Sequence, residues 1–150
     1  MSTSTVPTPT MLMNASKVTV AYSTVYWICM LNQVATKQRL IRKYKAQKET
    51  FERYNSPEMR DADRLVANFM EWTPVFWGPM WSLTAASRFD DTAVKAAWTY
   101  VGLRAVYAAL LMKYGVSSAG VNKPLWAATF PAYICLIYIW IQSLKLLLSV

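Results

Sequence analysis

Histidine is absent from all 150 residues, and acidic side chains are scarce, 8 against 16 lysines and arginines. Without histidine there is no Ser-His-Asp or Cys-His catalysis and no histidine-ligated zinc or haem. The two cysteines, Cys29 and Cys135, stand far apart in separate apolar stretches. They form neither a CxxC metal knuckle nor a disulfide framework and read as inert core thiols, so no metal is expected. Charged residues make up only 16% of the chain, where soluble domains carry about 25%. With 55% hydrophobic residues, that composition excludes intrinsic disorder and argues against an ordinary soluble domain.

In place of charge the chain has apolar length. Four long runs occur, at 18–34, 65–83, 96–112 and 125–150. The first has no charge, the second is interrupted by Asn68 and Glu71, the third by Arg104, and the fourth holds Lys145 alone. A spanning helix needs about 20 mainly apolar residues, so spans are expected at roughly 15–37, 60–86, 92–114 and 124–148. The fourth run has no polar face, which a soluble helical bundle would need. Strands fit poorly, because the runs lack the ten-residue alternation of a membrane barrel. Asp90 or Asp91 is suited to cap the third helix, and glycines and a proline at 115–124 stop one helix and restart the next. The expectation is one all-α domain over 1–150, an integral membrane four-helix bundle running up-down-up-down. The opening MSTSTVPTPT has neither charge nor an apolar core and reads as a flexible lead-in rather than a secretory signal.

Between residues 37 and 60 lie 8 lysines and arginines, mostly in a loop expected at 38–59. Lys113 and Lys123 border the third connection, whereas the other side offers only Lys17, Arg88, Lys95 and Lys145. The positive-inside rule then places the basic loop on the cytosolic-equivalent side of the endoplasmic reticulum or another organellar membrane, and both termini across it. The basic cluster reads as an anchor against anionic membrane lipids. No recognition motif accompanies it, so nucleic acid is not an expected partner.

Ionisable residues within spans are costly, roughly 2.5–3.5 kcal/mol or more each at the bilayer centre, and so mark function first. The second helix carries Arg64, Asn68 and Glu71 at i, i+4 and i+7, stacked on one face. The third carries Arg104 and Tyr107 at i and i+3. At 1.5 Å per residue, Glu71 lies about 20 Å from the basic side, Arg104 about 15 Å and Tyr107 about 10 Å. Both faces share one half of the bundle, where Glu71 and Arg104 are placed to neutralise each other. Pro74 and Pro79 are expected to kink the second helix and release backbone carbonyls. Trp72, Trp77 and Trp81, taken alone, read as packing and interface anchors.

Arg64, Asn68, Glu71, Trp72 and Pro74 fall in the pattern RxxxNxxE-aromatic-x-P. It resembles the second-helix signature of the MAPEG superfamily, the membrane-associated proteins of eicosanoid and glutathione metabolism. Arg104 and Tyr107 are similar to that family's third-helix RxxY element. The resemblance implies a left-handed four-helix bundle assembled as a homotrimer, with glutathione held at subunit boundaries. It implies that Arg64 binds a glutathione carboxylate, Glu71 the α-amino group, and Asn68 and Tyr107 the peptide body. Trp72 and Arg104 belong to the same implied set, and Arg39 (with Lys37 or Gln38 beside it) stands where a neighbouring subunit would contribute a basic group. Glutathione's two carboxylates and one ammonium match guanidinium forks plus one carboxylate.

Two positions depart from the active members. A second tyrosine one turn beyond Tyr107 is replaced by Leu111, and no arginine occurs between Lys113 and Lys123. Glutathione's thiol must ionise to attack an electrophile, and only Tyr107, Lys113 or Tyr114 remain to help. Two functions are therefore open. One is a glutathione-binding membrane protein with microsomal-type transferase or peroxidase chemistry on lipophilic electrophiles or lipid hydroperoxides, the catalytic residues unassigned. The other is an inactive bundle serving as an accessory subunit of a larger membrane complex. A transporter fits less well, since broken helices meeting at the midplane are not evident. A protease site or tag near Asn55 is expected to be reached from the cytosolic side of sealed vesicles while the N-terminus is protected. The reverse pattern would invert the orientation.

Overall fold

The computed structural model describes residues 6–116 and 123–148. They form four helices, α1 (Pro9–Ala46), α2 (Pro57–Ala85), α3 (Asp91–Tyr114) and α4 (Lys123–Leu148), with no strand among the described residues. Each of the first three starts on a side-chain cap. Thr8 Oγ1 accepts from the Met11 amide and Ser56 Oγ from that of Met59, each cap followed by a proline in the first turn. Asp90 accepts from the Ala93 amide at 2.8 Å, the capping role expected of it or of Asp91.

α1 overruns its expected span at both ends. The cap at Thr8 starts the helix inside the expected lead-in. At the other end, Leu40 and Tyr44 are spaced i and i+4 and pack with Met59, Ala62 and Phe51 in a small satellite core. That packing carries the helix to Ala46, so residues 38–46 of the expected loop are helical and the connection shrinks to 47–56. Arg53 ties this connection down through two hydrogen bonds to Asp63, at 2.7 and 2.9 Å, and Gln33 of α1 donates to the same carboxylate at 2.7 Å. The hydrogen bond to Asp63 raises the Arg53 guanidinium still further above its ordinary range.

The contacts fix the helix directions. Tyr22, Gln33 and Arg39 of α1 meet Thr73, Asp63 and Glu58 of α2, so the two are antiparallel. Arg104 meets Asn68 and Tyr100 meets Phe76, making α3 antiparallel to α2. Trp72 and Val75 of α2 meet Tyr133 and Trp140 of α4, which run in the same sense. α1 and α4 do not pack on each other, whereas α2 and α3 do. The helices therefore run up-down-up-down around the ring α1–α2–α4–α3, with α2 and α3 across the short diagonal. An aromatic cluster of Tyr22, Phe69, Phe76 and Tyr100 fills the centre, its ring centroids 4.4–6.2 Å apart. Cys29 is buried in the same core, and it is not bonded to the half-buried Cys135.

The outer surface is apolar. Trp27 and Leu31 on α1 are each 61% exposed, and Ile134 on α4 is 68% exposed. Contiguous apolar surface on this scale marks contact with lipid or with another chain. Among the described residues one helix stretch, Lys123–Leu146, is long and apolar enough by itself to cross a membrane. Polar residues spread through α1, α2 and α3 dilute their hydropathy, and several of these, Asn68 and Arg104 among them, point inward.

Pro74 and Pro79 lie within the continuous α2. A residue at position 79 would normally donate its amide to the carbonyl of Val75; proline has none to give. The Trp140 indole of α4 supplies the missing donor, at 2.8 Å. The released carbonyl expected from the prolines is thus converted into a cross-helix tie. Trp140→Phe keeps the ring but removes the N–H, and is expected to lower stability in detergent thermal unfolding by about 1–3 kcal/mol.

Candidate functional site

Arg104 is the centre of the polar layer. It is 3% exposed and reaches across the diagonal to donate to Asn68 Oδ1 at 2.6 Å. Its guanidinium lies 4.5 Å from the Phe69 ring centroid and 5.1 Å from that of Tyr107. Ring faces carry negative quadrupole charge and stabilise a cation there, by about 2 kcal/mol where water is excluded. One guanidinium atom, Nε, is buried with no partner. Among the described residues the ion pairs are Arg39–Glu58 and Arg53–Asp63, so Arg104 has no counter-ion.

This corrects the expectation that Glu71 neutralises Arg104. Glu71 is exposed, and the shorter Asn68, one turn earlier, takes the guanidinium instead. The reason is rotation: packing Phe69 and Phe76 into the aromatic cluster turns Asn68 toward α3 and leaves Glu71 on the outside. Arg64 is likewise exposed and in no ion pair. It lies close enough that its charge, with that of Arg104, acts on the half-buried Tyr107 phenol. Trp72 packs on Tyr133 of α4 at 4.8 Å between ring centroids, a contact the sequence spacing did not disclose. The structure thus gathers Asn68, Arg104 and Tyr107, sets Arg64 beside them, and leaves Glu71 on the open flank of the same helix.

Asn68 is oriented by its bond to Arg104. Its oxygen is engaged as acceptor, which leaves the amide nitrogen to donate to a ligand. The layer therefore offers two cations, a phenol and an amide donor, with one carboxylate at its edge. That set is suited to a molecule bearing carboxylates and an ammonium.

Arg39 lies elsewhere. It donates to Glu58 of its own chain at 2.6 Å and lines a cleft enclosed by α1, α2 and α3. Lys113 borders the same cleft, its ammonium 5.0 Å from the Tyr114 ring centroid. Within one protomer neither Arg39 nor Lys113 joins the Arg104 layer. Residues 117–122, where the absence of an arginine was noted, lie outside the described residues, as does the tip of the third connection expected to restart α4.

The fold and this layer define a four-helix bundle with an apolar exterior and a charged interior. The MAPEG family model matches residues 15–144, nearly the whole chain, and the protein belongs to the MAPEG family. Comparison with curated proteins and with solved structures gives no significant match.

If Asn68 is the side chain that holds Arg104, Asn68→Ala should cost about 1.5–3 kcal/mol, the worth of a hydrogen bond to a buried charge. Glu71→Gln, at an exposed position, should shift stability by less than about 0.5 kcal/mol. Thermal unfolding of both variants in detergent checks this; equal losses would restore Glu71 as the counter-ion.

Proposed function

We propose that all four helices cross the bilayer and that the Arg104 layer binds glutathione. The observation that carries this reading is the buried Arg104, cationic and without a counter-ion, with one guanidinium nitrogen unpartnered. A buried uncompensated charge is expensive, and an anionic ligand relieves it. Arg64 takes one carboxylate of the tripeptide and Glu71 its ammonium. Asn68 and Tyr107 hold the peptide body, and Trp72 walls the groove toward α4.

Assembly as a homotrimer completes the site. Arg39 is released toward a neighbouring subunit's ligand at little cost, because its pair with Glu58 is a surface one, with the arginine side chain 68% exposed. Such pairs contribute about 0–1 kcal/mol. A lipophilic co-substrate, an electrophile or lipid hydroperoxide, reaches the groove laterally from the bilayer. Tyr107 is then the hydroxyl nearest the layer to stabilise the thiolate, with the Arg104 charge behind it.

A second reading has its own support. Leu111 stands in place of a second tyrosine, and Lys113 is turned to the α1–α2–α3 cleft rather than to Tyr107. The groups that would activate the thiol are thus few, which favours an accessory subunit of a membrane complex that keeps the bundle without the chemistry.

Calorimetry of detergent-purified protein distinguishes the two. Glutathione is expected to bind in the millimolar range or tighter to a particle of three chains, and Arg64→Ala or Glu71→Gln should weaken binding about 30-fold or more. No heat at millimolar glutathione would sink the ligand reading and leave the accessory subunit standing.

A further inference from the structure

Nearer the basic end of the bundle than the Arg104 layer lies the cleft that holds Arg39, about 500 Å³ in volume. That is within the size range of small-molecule sites, roughly 300–1,000 Å³. Its three walls carry polar groups: Asn32, Thr36 and Arg39 along two turns of α1, Glu58 and Asp61 from α2, and Lys113 from α3. The floor is apolar, with Leu65 and Leu111 both buried. Thr36 is only 9% exposed although it lines this open space.

The charges on the walls are not all spent on each other. Arg39 and Glu58 pair at 2.6 Å. Asp61 and Lys113 face the same space from α2 and α3 and form no ion pair, the lysine resting over the Tyr114 ring. Gly115 keeps the walls close: it ends α3 at φ +65°, and a Cβ there would come within 2.5 Å of Asp61 Oδ2. The carboxylate of Asp61, the amide oxygen of Asn32 and the hydroxyl of Thr36 make three acceptors, the number a primary ammonium can use. Lys113 supplies the matching site for an anion. The complementary ligand is a small zwitterion with a primary ammonium next to an anionic group.

Depth says where such a group would come from. Along α1 the exposed side chains are mostly apolar from Val20 to Val34 and mostly charged from Lys37 onward, Ile41 excepted. In a protein whose helices cross the bilayer that boundary lies in the headgroup layer. We propose that the cleft binds the ethanolamine-phosphate headgroup of a membrane phospholipid. The ammonium sits on Asp61, Asn32 and Thr36, the phosphate on Lys113, and the acyl chains leave past Met112, which lines the cleft and is exposed. Phosphatidylcholine is discriminated against, because its trimethylammonium has no N–H to satisfy the three acceptors. This inference rests on the transmembrane reading given above.

The test is native mass spectrometry of the full chain released from vesicles of equal phosphatidylethanolamine and phosphatidylcholine content, after an alkaline carbonate wash of the same vesicles. The ethanolamine lipid is expected to stay bound in preference to the choline lipid. Asp61→Asn and Lys113→Gln, the second at an exposed position that folding tolerates, should each lower its occupancy about tenfold, the loss of one charge-assisted hydrogen bond. Lys48→Gln, outside the cleft, should leave it unchanged. Equal retention of the two lipids, or a preference that survives both cleft variants, would overturn the proposal while protein that resists the wash keeps the transmembrane reading intact. Protein stripped by the wash would overturn that reading and the lipid site with it. Free phosphoethanolamine binding lipid-free protein as well as the lipid does would overturn the lipid as the source of the group.

Discussion

The bundle is organised around one buried cation. Arg104 sits among aromatic rings at the middle of an apolar four-helix core, and a guanidinium cannot be left there without partners. Asn68 gives it one strong hydrogen bond across the short diagonal, and Phe69 and Tyr107 give it ring faces. These contacts come from both α2 and α3, so satisfying Arg104 sets the register of the two helices. The rest follows from that register: the aromatic stack of Tyr22, Phe76 and Tyr100 one turn further in, and the approach of Gly115 to Asp61 at the basic end. What Arg104 lacks is an anion, and the proposed ligand reading of the layer rests on that deficit.

α2 is the helix every other element uses. Its residues 64, 68 and 71 lie along one face, and 58, 61, 62 and 65, two charged and two apolar, along another, rotated by about a quarter turn at 100° per residue. The first meets the Arg104 layer through Asn68, and the second lines the cleft against α1. Two prolines further along the same helix would weaken it, yet the tie from Trp140 to the Val75 carbonyl turns one of those gaps into a link with α4. Because α1 and α4 do not touch, α4 is held to the bundle by its packing on α3 and on α2, the latter through this link and the Trp72–Tyr133 contact.

The candidate site was partly legible in the order of residues. The i, i+4, i+7 spacing of Arg64, Asn68 and Glu71 put them on one helical face, and depth arithmetic put that face in the same half of the bundle as Arg104, where the 2.6 Å bond to Asn68 forms. The partner of Arg104 was not legible. Opposite charge pointed to Glu71, but 3.6 residues per turn leaves positions 68 and 71 differing in direction by about 60°. Large apolar side chains decided which of the two faced α3. The end of α1 was misjudged for a related reason: a run of lysines and arginines resembles a loop, yet Leu40 and Tyr44 within it carry an apolar stripe that the satellite core uses.

The sequence by itself determined the number and type of the elements, their order and the family, because long apolar runs, caps and the spacing of polar residues within helices are local properties of the chain. The tertiary structure decided what those residues do. It chose Asn68 over Glu71 for Arg104, gave Arg39 to Glu58, supplied Trp140 to the carbonyl freed by Pro79, and assembled a cleft from residues as far apart as Asn32 and Lys113. Each of these depends on how one helix is rotated and slid against another. That is fixed by the fit of buried side chains from distant parts of the chain, not by the helix that carries the residue.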